Sequence, residues 1–361
     1  MEHLLLTLPI PEPKPLLQRI QIALPDLKIT YLRHEVAPPE AFYKQDMYIP
    51  PEILRETTIL MTMGVVPDPI DAPKLRYIHF NVAGIDHVAH KPALRNPNIT
   101  VTTSTGGSAI SVAEWVFGSI LSQVRQLPLL KAWQNEKIWG RLGPTTPTTS
   151  LDGQKLGIIG YGSIGRQVAR LAQAFGMHVI VYNSRPRLTA TDRKDKNWYQ
   201  PGSGDPDGTI PEAYFHGQSK AELHAFLAQD LNILVLSLPL TASTKHLIGE
   251  EELDIINSSG PAFLVNVSRG TIVDQMALIK SLKKGPTGGG LLAAALDVTE
   301  PEPLPRDNEL WTLPNVFISP HVSSITPHTM GRAFKILEDN LVREERGQEM
   351  INVIKAAEAR I

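Results

Sequence analysis

The apolar run Lys155-Leu156-Gly157-Ile158-Ile159 leads straight into Gly160-Tyr161-Gly162-Ser163-Ile164-Gly165, and that turn opens onto the helix-patterned Arg166-Gln167-Val168-Ala169-Arg170-Leu171-Ala172. The order strand, glycine turn, helix constrains the fold more than any other feature of the chain. The first glycine permits a tight turn, the second lets backbone amides approach a pyrophosphate, and the third lets helix and strand pack closely. A helix N-terminus adds partial positive charge at the same point. The apolar Met177-His178-Val179-Ile180-Val181-Tyr182 supplies a second strand, at whose end a cofactor ribose would lie. Gly160, Gly162, Ser163, Ile164 and Gly165 therefore read as a dinucleotide site; the competing interpretation is an ordinary strand-to-helix turn.

From Lys155 to about Ile325 apolar runs recur as in a doubly wound parallel sheet, at 156–159, 179–182, 233–238, 262–267, 292–296 and 316–318. Six strands make a full cofactor domain. Residues 1 to about 110 form a smaller α/β unit, with strand-like runs at 58–63 and 75–80 separated by proline-bearing turns. A helical pattern at 110–124 follows, capped by Ser108 or Ser111, and the first domain crossing is placed at its start. The stretch 187–217 is polar and rich in proline and glycine, so it is expected to be a surface insertion that tolerates shortening. A last helix over about 328–343 is expected to return to the first domain.

At 361 residues the chain is long enough for two cores, and its net charge of -2 offers no basic field for nucleic acid and no polybasic run for a membrane. The absence of cysteine excludes disulfides, thiolate metal sites and a cysteine nucleophile, and fits a cytoplasmic location. The N-terminus begins acidic and is broken by Pro9, unlike a signal peptide. The longest apolar stretch, near 231–240, falls short of the about 18 residues that cross a bilayer. The tail Ala359-Arg360-Ile361 loosely resembles a peroxisomal signal, the alternative location. Asp86, His87 and His90 have metal-ligand side chains but no closed ligand set, so no metal site is expected.

Three motifs follow the glycine loop, each at the C-terminal end of an expected strand, where open parallel sheets bind ligands: Asn266-Val267-Ser268-Arg269-Gly270, Leu296-Asp297-Val298-Thr299-Glu300-Pro301-Glu302-Pro303-Leu304, and Ser319-Pro320-His321-Val322-Ser323. Arginine grips a carboxylate in a planar fork, histidine moves a proton near neutrality, and a carboxylate beside it can hold the ring.

These motifs, in this order, resemble the D-isomer-specific 2-hydroxyacid dehydrogenases, of the glyoxylate and hydroxypyruvate reductase kind. The resemblance extends to Val82-Ala83-Gly84-Ile85-Asp86-His87 and to Ser111-Val112-Ala113-Glu114, covering about 58–340. It implies an α/β protein with a doubly wound Rossmann cofactor domain, a smaller flavodoxin-like substrate domain and an active site in the cleft between them. The substrate domain would comprise 1–110 and 326–361, the NAD(P)-binding domain 111–325, and the assembly would be a homodimer built on 110–124 and 133–139. Carried over, Arg269 would hold the substrate carboxylate and 2-oxo oxygen, His321 would be the acid/base, and Glu302, preferred over Glu300 by register, would orient it. Backbone amides of Ala83 and Gly84 would complete carboxylate binding, Asp297 would sit by the nicotinamide carboxamide, and Pro239 and His321 would line the cofactor site. Residues near 61–66 and the Ala83 loop would border the side-chain pocket, whose apolar character admits anything from glyoxylate to an aromatic 2-oxo acid.

NAD-preferring members usually carry an aspartate where Asn183 stands; here Asn183-Ser184-Arg185-Pro186-Arg187 lacks an acid and offers a hydroxyl and two cations, which predicts NADPH preference with NAD possible. The expected activity is reduction of 2-oxo acids to D-2-hydroxy acids. The alternative is a nucleotide-sensing protein like the dehydrogenase-related corepressors, which turnover of glyoxylate would exclude.

Overall fold

A computed structural model describes residues 2–34, 47–143 and 148–354. The tail signal considered above lies outside them. The chain divides into two compact units: Met1–Ser108 with Asn197–Gln200 and Ile325–Ile361, and Ala109–Lys196 with Pro201–Ser324.

The first unit holds strands β1 (His3–Leu8), β2 (Lys28–Arg33), β3 (Ile59–Thr62), β4 (Tyr77–Phe80) and β5 (Thr100–Thr103), all parallel in the order β2-β1-β3-β4-β5. Successive side chains of a strand point to opposite faces, and β1 shows it: Leu4, Leu6 and Leu8 enter one apolar cluster with Phe334 and Leu337, while Leu5 enters the other with Ile78 and Phe80. The C-terminal helix Pro327–Glu345 supplies Ala333, Phe334 and Leu337 to the first of these layers, and Thr326 caps it by accepting from the Thr329 amide.

A polar chain is buried in this sheet. His79 is fully enclosed, with Nδ1 2.8 Å from Thr102 Oγ1 and Nε2 3.0 Å from Ser104 Oγ; Tyr77 OH also meets Thr102 Oγ1 at 2.8 Å. Burial pushes the His79 imidazole down to about 3, so it is neutral in the folded protein. An unfolded chain takes up that proton below about 6.5, so the His79 contribution is intact above this pH and is lost as pH falls toward 3. About 2 kcal/mol should disappear by about pH 5. Urea unfolding of the first unit's amides, followed by hydrogen exchange at neutral and acid pH, should show this slope flattened in His79→Gln; an equal slope in the variant would assign the acid sensitivity elsewhere.

The second unit holds β6 (Lys155–Ile159), β7 (His178–Asn183), β8 (Ala213–His216), β9 (Ile233–Leu236), β10 (Phe263–Asn266), β11 (Ala293–Leu296) and β12 (Val316–Ile318) in the order β12-β11-β10-β9-β6-β7-β8, all parallel. Both faces are covered. Ile233, Val235, Phe263, Val265, Ala293 and Ala295 face one layer, which includes Val112, Val116 and Ile120 of helix Ala109–Val124; Leu234, Leu236, Leu264, Ala294 and Leu296 face the other. The strand order reverses between β6 and β9, which places the loop leaving β6 at the switch point of the sheet.

Two expectations change. The stretch 187–217 is not a plain surface insertion: it contains the edge strand β8, which adds a seventh strand to the sheet, and it buries Ser203, Asp205 and Trp198. Its residues Asn197–Gln200 belong to the first unit, where the Trp198 indole donates to Asp339 Oδ2 at 3.2 Å and its amide to Asn352 Oδ1 at 3.1 Å. Shortening it would remove packed structure. Helix Ala109–Val124 is likewise apolar largely because it is part of this unit's own core, whereas the next helix, Leu127–Asn135, buries none of its residues.

Candidate functional site

The glycine turn has the backbone its sequence requires. Gly160 lies at φ +95°, where a side chain is strained, and a Cβ there would stand 2.7 Å from the Ser237 carbonyl. A Cβ on Gly165 would stand 2.4 Å from the Gly160 carbonyl, so the helix Ser163–Ala174 can press against β6 only without one. Gly162, by contrast, faces open space. Ser163 Oγ, in the first turn of that helix, is buried and has no hydrogen-bond partner. Open space at Gly162 and an unpaired hydroxyl at a helix N-terminus fit an anionic group such as a pyrophosphate. Ile164 is half-buried and packs against the core.

The end of β7 is tied to this turn. The Tyr161 amide donates to Asn183 Oδ1 at 3.0 Å, leaving Asn183 Nδ2 buried and unpaired, and the Gly160 amide donates to the Tyr182 carbonyl at 2.9 Å. Ser184 and Arg185 are exposed just beyond, and Pro239 is exposed after β9.

Three loops at the C-terminal edge of the same sheet carry the acid/base candidates. After β10, Ser268 Oγ accepts from the Leu238 amide at 3.0 Å and Asn266 Nδ2 donates to the Arg269 carbonyl at 3.0 Å, fixing the backbone from which the half-buried Arg269 projects. After β12, His321 adopts φ +54°, an uncommon conformation for a residue with a side chain. Its Nδ1 lies 2.7 Å from Glu302 Oε1, both side chains being about a quarter exposed. Glu300, the other carboxylate of that turn, faces away to His246 Nε2 at 2.8 Å. The geometry therefore pairs His321 with Glu302.

Asp297 has a role that its sequence position did not suggest. It is 2% exposed, and its carboxylate accepts from Ser319 Oγ at 2.5 Å, the Val322 amide at 2.8 Å and the Ser323 amide at 3.0 Å. Its carbonyl accepts from the His321 amide at 2.8 Å. Through these bonds it clamps the His321 loop. Only the three amides and one hydroxyl meeting it in space reveal this.

Ala83 and Gly84 stand in the first unit, in the loop after β4, with Ala83 exposed and Gly84 half-buried. Among the described residues one group gathers three metal-type ligand atoms within 4.8 Å, His224, Glu251 and Glu252. Lys220 Nζ already sits 3.2 Å from Glu251 and 3.7 Å from Glu252, and none of these residues lies on the loops of Arg269 or His321.

Comparison with known proteins agrees with this fold. The family model described as D-isomer specific 2-hydroxyacid dehydrogenase, NAD binding domain, matches residues 117–201 and 204–323. A glyoxylate reductase of Korarchaeum cryptofilum is 32% identical over 300 residues, 81% of each chain, and one of Aeropyrum pernix is 33% identical over 326 residues, 86% of this chain and 88% of that one. Among solved structures, a D-isomer specific 2-hydroxyacid dehydrogenase from Xanthobacter autotrophicus Py2, in complex with NADPH and MES, superposes with a TM-score of 0.73 at 25% identity over 99% of both chains. No helix among the described residues is long and apolar enough to cross a membrane. The matched segments contain the glycine turn, Arg269, Glu302 and His321, and the chain belongs to the D-isomer specific 2-hydroxyacid dehydrogenase family of NAD(P)-dependent oxidoreductases.

Proposed function

We propose that the protein reduces 2-oxo acids such as glyoxylate or hydroxypyruvate to D-2-hydroxy acids, with NADPH preferred and His321 as proton donor. The observation that carries this reading is the 2.7 Å contact of His321 Nδ1 with Glu302, on the sheet edge that also bears Arg269. A carboxylate at Nδ1 takes the hydrogen of that nitrogen and orients the ring, leaving Nε2 to give its proton to an oxygen that becomes an alkoxide. Arg269 would bind the substrate carboxylate and stabilise the developing charge, and the amides of Ala83 and Gly84 would bind the carboxylate as well. The bound cofactor supplies the hydride. Its pyrophosphate would be held by the amides of Gly162, Ser163 and Ile164 and by the unpaired Ser163 hydroxyl, with Pro239 and Asp297 near its nicotinamide end.

The preference for NADPH rests on Asn183, Ser184 and Arg185, where no acid repels a 2′-phosphate. A charge-assisted phosphate contact contributes about 1.5–3 kcal/mol, or roughly tenfold to over a hundredfold in affinity. In steady-state assays on glyoxylate, wild type should show the higher kcat/KM with NADPH, and Asn183→Asp combined with Arg185→Ala should reverse it. A wild type faster with NADH would overturn the preference and leave the reductase reading standing.

A homodimer is the proposed assembly, carried now by the exposed Leu127, Leu130, Ile138 and the fully exposed Trp139 rather than by helix Ala109–Val124. Sedimentation should give a dimer that Leu130→Asp with Trp139→Ala dissociates; an active wild-type monomer would contradict it.

A further inference from the structure

The stretch that follows Arg187 forms a network beneath the glycine turn. Arg166, only 1% exposed, donates through Nη2 to the Arg193 carbonyl at 2.6 Å and through Nη1 to the Asp205 carbonyl, and its guanidinium lies 4.9 Å over the Tyr161 ring. Tyr161, inside the glycine turn, donates its hydroxyl to Asp205 Oδ2 at 2.6 Å, and Asp205 is held in turn by the amides of Thr209 and Ile210. Arg193 then reaches back: its Nε donates to the Arg187 carbonyl at 3.1 Å, and its guanidinium sits 4.6 Å over the Tyr214 ring. Tyr214 donates its own hydroxyl to the Gly208 carbonyl at 2.8 Å and meets Tyr161 edge-on at 5.8 Å.

The charges of this network do not balance. Arg166, Arg187 and Arg193 face Asp195 and Asp205, and Tyr214, pushed up to about 12 chiefly by burial, supplies no anion at neutral pH. The surplus falls on Arg187, which is half-buried and whose guanidinium makes no hydrogen bond or ion pair among the described residues. Its pKa is lowered by burial and then by the neighbouring Arg166, which the weaker opposing pull of Asp195 does not offset. A solvated loop arginine would show neither burial nor this neighbour. Partly buried charge without a partner is costly, and a phosphate monoester would relieve it.

We propose that residues 188–217 act as a selectivity brace, in which Arg193, stacked on Tyr214, is a positioning residue that holds Arg187 for the 2′-phosphate of the adenosine ribose. This rests on the NADPH reading above and extends it from the Ser184–Arg185 tip to residues that touch no cofactor. The brace works through the backbone of Arg187, so it should govern phosphate recognition and leave the rest of the adenosine site alone.

Calorimetric titration of the intact protein with 2′,5′-ADP and with 5′-AMP tests this without turnover. Wild type should bind 2′,5′-ADP at least about tenfold tighter. Arg187→Ala and Arg193→Ala should each lose about fivefold or more of that ratio, with 5′-AMP affinity within about twofold of wild type. Arg193→Lys, which keeps a cation on the Tyr214 ring but not the fixed Nε donor, is the gentler probe should the alanine variant fail to fold, and should lose about threefold. A wild type that binds both ligands equally would overturn the NADPH reading itself. A wild type that discriminates, with Arg193 variants that keep the full ratio or that lose 5′-AMP binding equally, would overturn the brace alone.

Discussion

Replacing His321 by alanine is expected to slow 2-oxo acid reduction by about 100-fold to 10,000-fold while 5′-AMP affinity is preserved, because only the proton donor is removed. The ring is held by Glu302 at Nδ1 and by a backbone at φ +54° that the Asp297 carbonyl secures. Single-turnover rates separate this from binding, and a variant with near-normal turnover would take His321 out of the mechanism. The two carboxylates of the neighbouring turn then give a matched pair of tests. Glu302→Ala removes the acceptor that orients the ring, so reduction should slow by about tenfold or more while 5′-AMP affinity is unchanged. Glu300→Ala should leave the rate in place, since Glu300 faces His246. If instead Glu300→Ala slowed reduction as much, the pairing assigned to Glu302 would be wrong.

What the sequence reveals of this molecule depends on how local each determinant is. The glycine turn is legible because β6, the turn and the helix Ser163–Ala174 are contiguous, and Gly160 and Gly165 each have a steric reason to be glycine. The other six strands of the second unit are legible because strands covered on both faces read as unbroken apolar stretches. β8 is not: its four residues Ala213–His216 form an edge strand inside a polar stretch, and only pairing with β7 makes them a strand. β1 escaped for another reason. His3–Leu8 looks like a terminal apolar run, and only its place between β2 and β3 makes it central. At the site, the Glu302–His321 pair follows from motif register, whereas the partners of Asp297 and of Arg193 are set by tertiary packing, across 22 and more residues in the first case.

Loss of the Asp297 carboxylate should therefore damage stability and turnover together. Asp297→Ala leaves the Val322 and Ser323 amides and the Ser319 hydroxyl without their acceptor in a buried setting. Each such group costs about 1–3 kcal/mol, so a destabilisation of about 3–5 kcal/mol is expected, near the upper end for a single substitution. The left-handed backbone at His321 persists only while its surroundings over-determine it, and those bonds do so. With them gone the imidazole would wander by an ångström or more, enough to lower kcat by about 100-fold. Asp297→Asn is the sharper test, because it keeps the shape and one acceptor but turns an amide donor toward other donors; it should lose less stability and still lose turnover. Hydrogen exchange at the Val322 and Ser323 amides, measured beside kcat and the KM for cofactor, distinguishes the two roles open to this carboxylate. A residue that only met the nicotinamide would raise the cofactor KM and leave those amides protected. The clamp predicts the reverse, fast exchange at both amides and a fall in kcat, with the cofactor KM changed less than kcat.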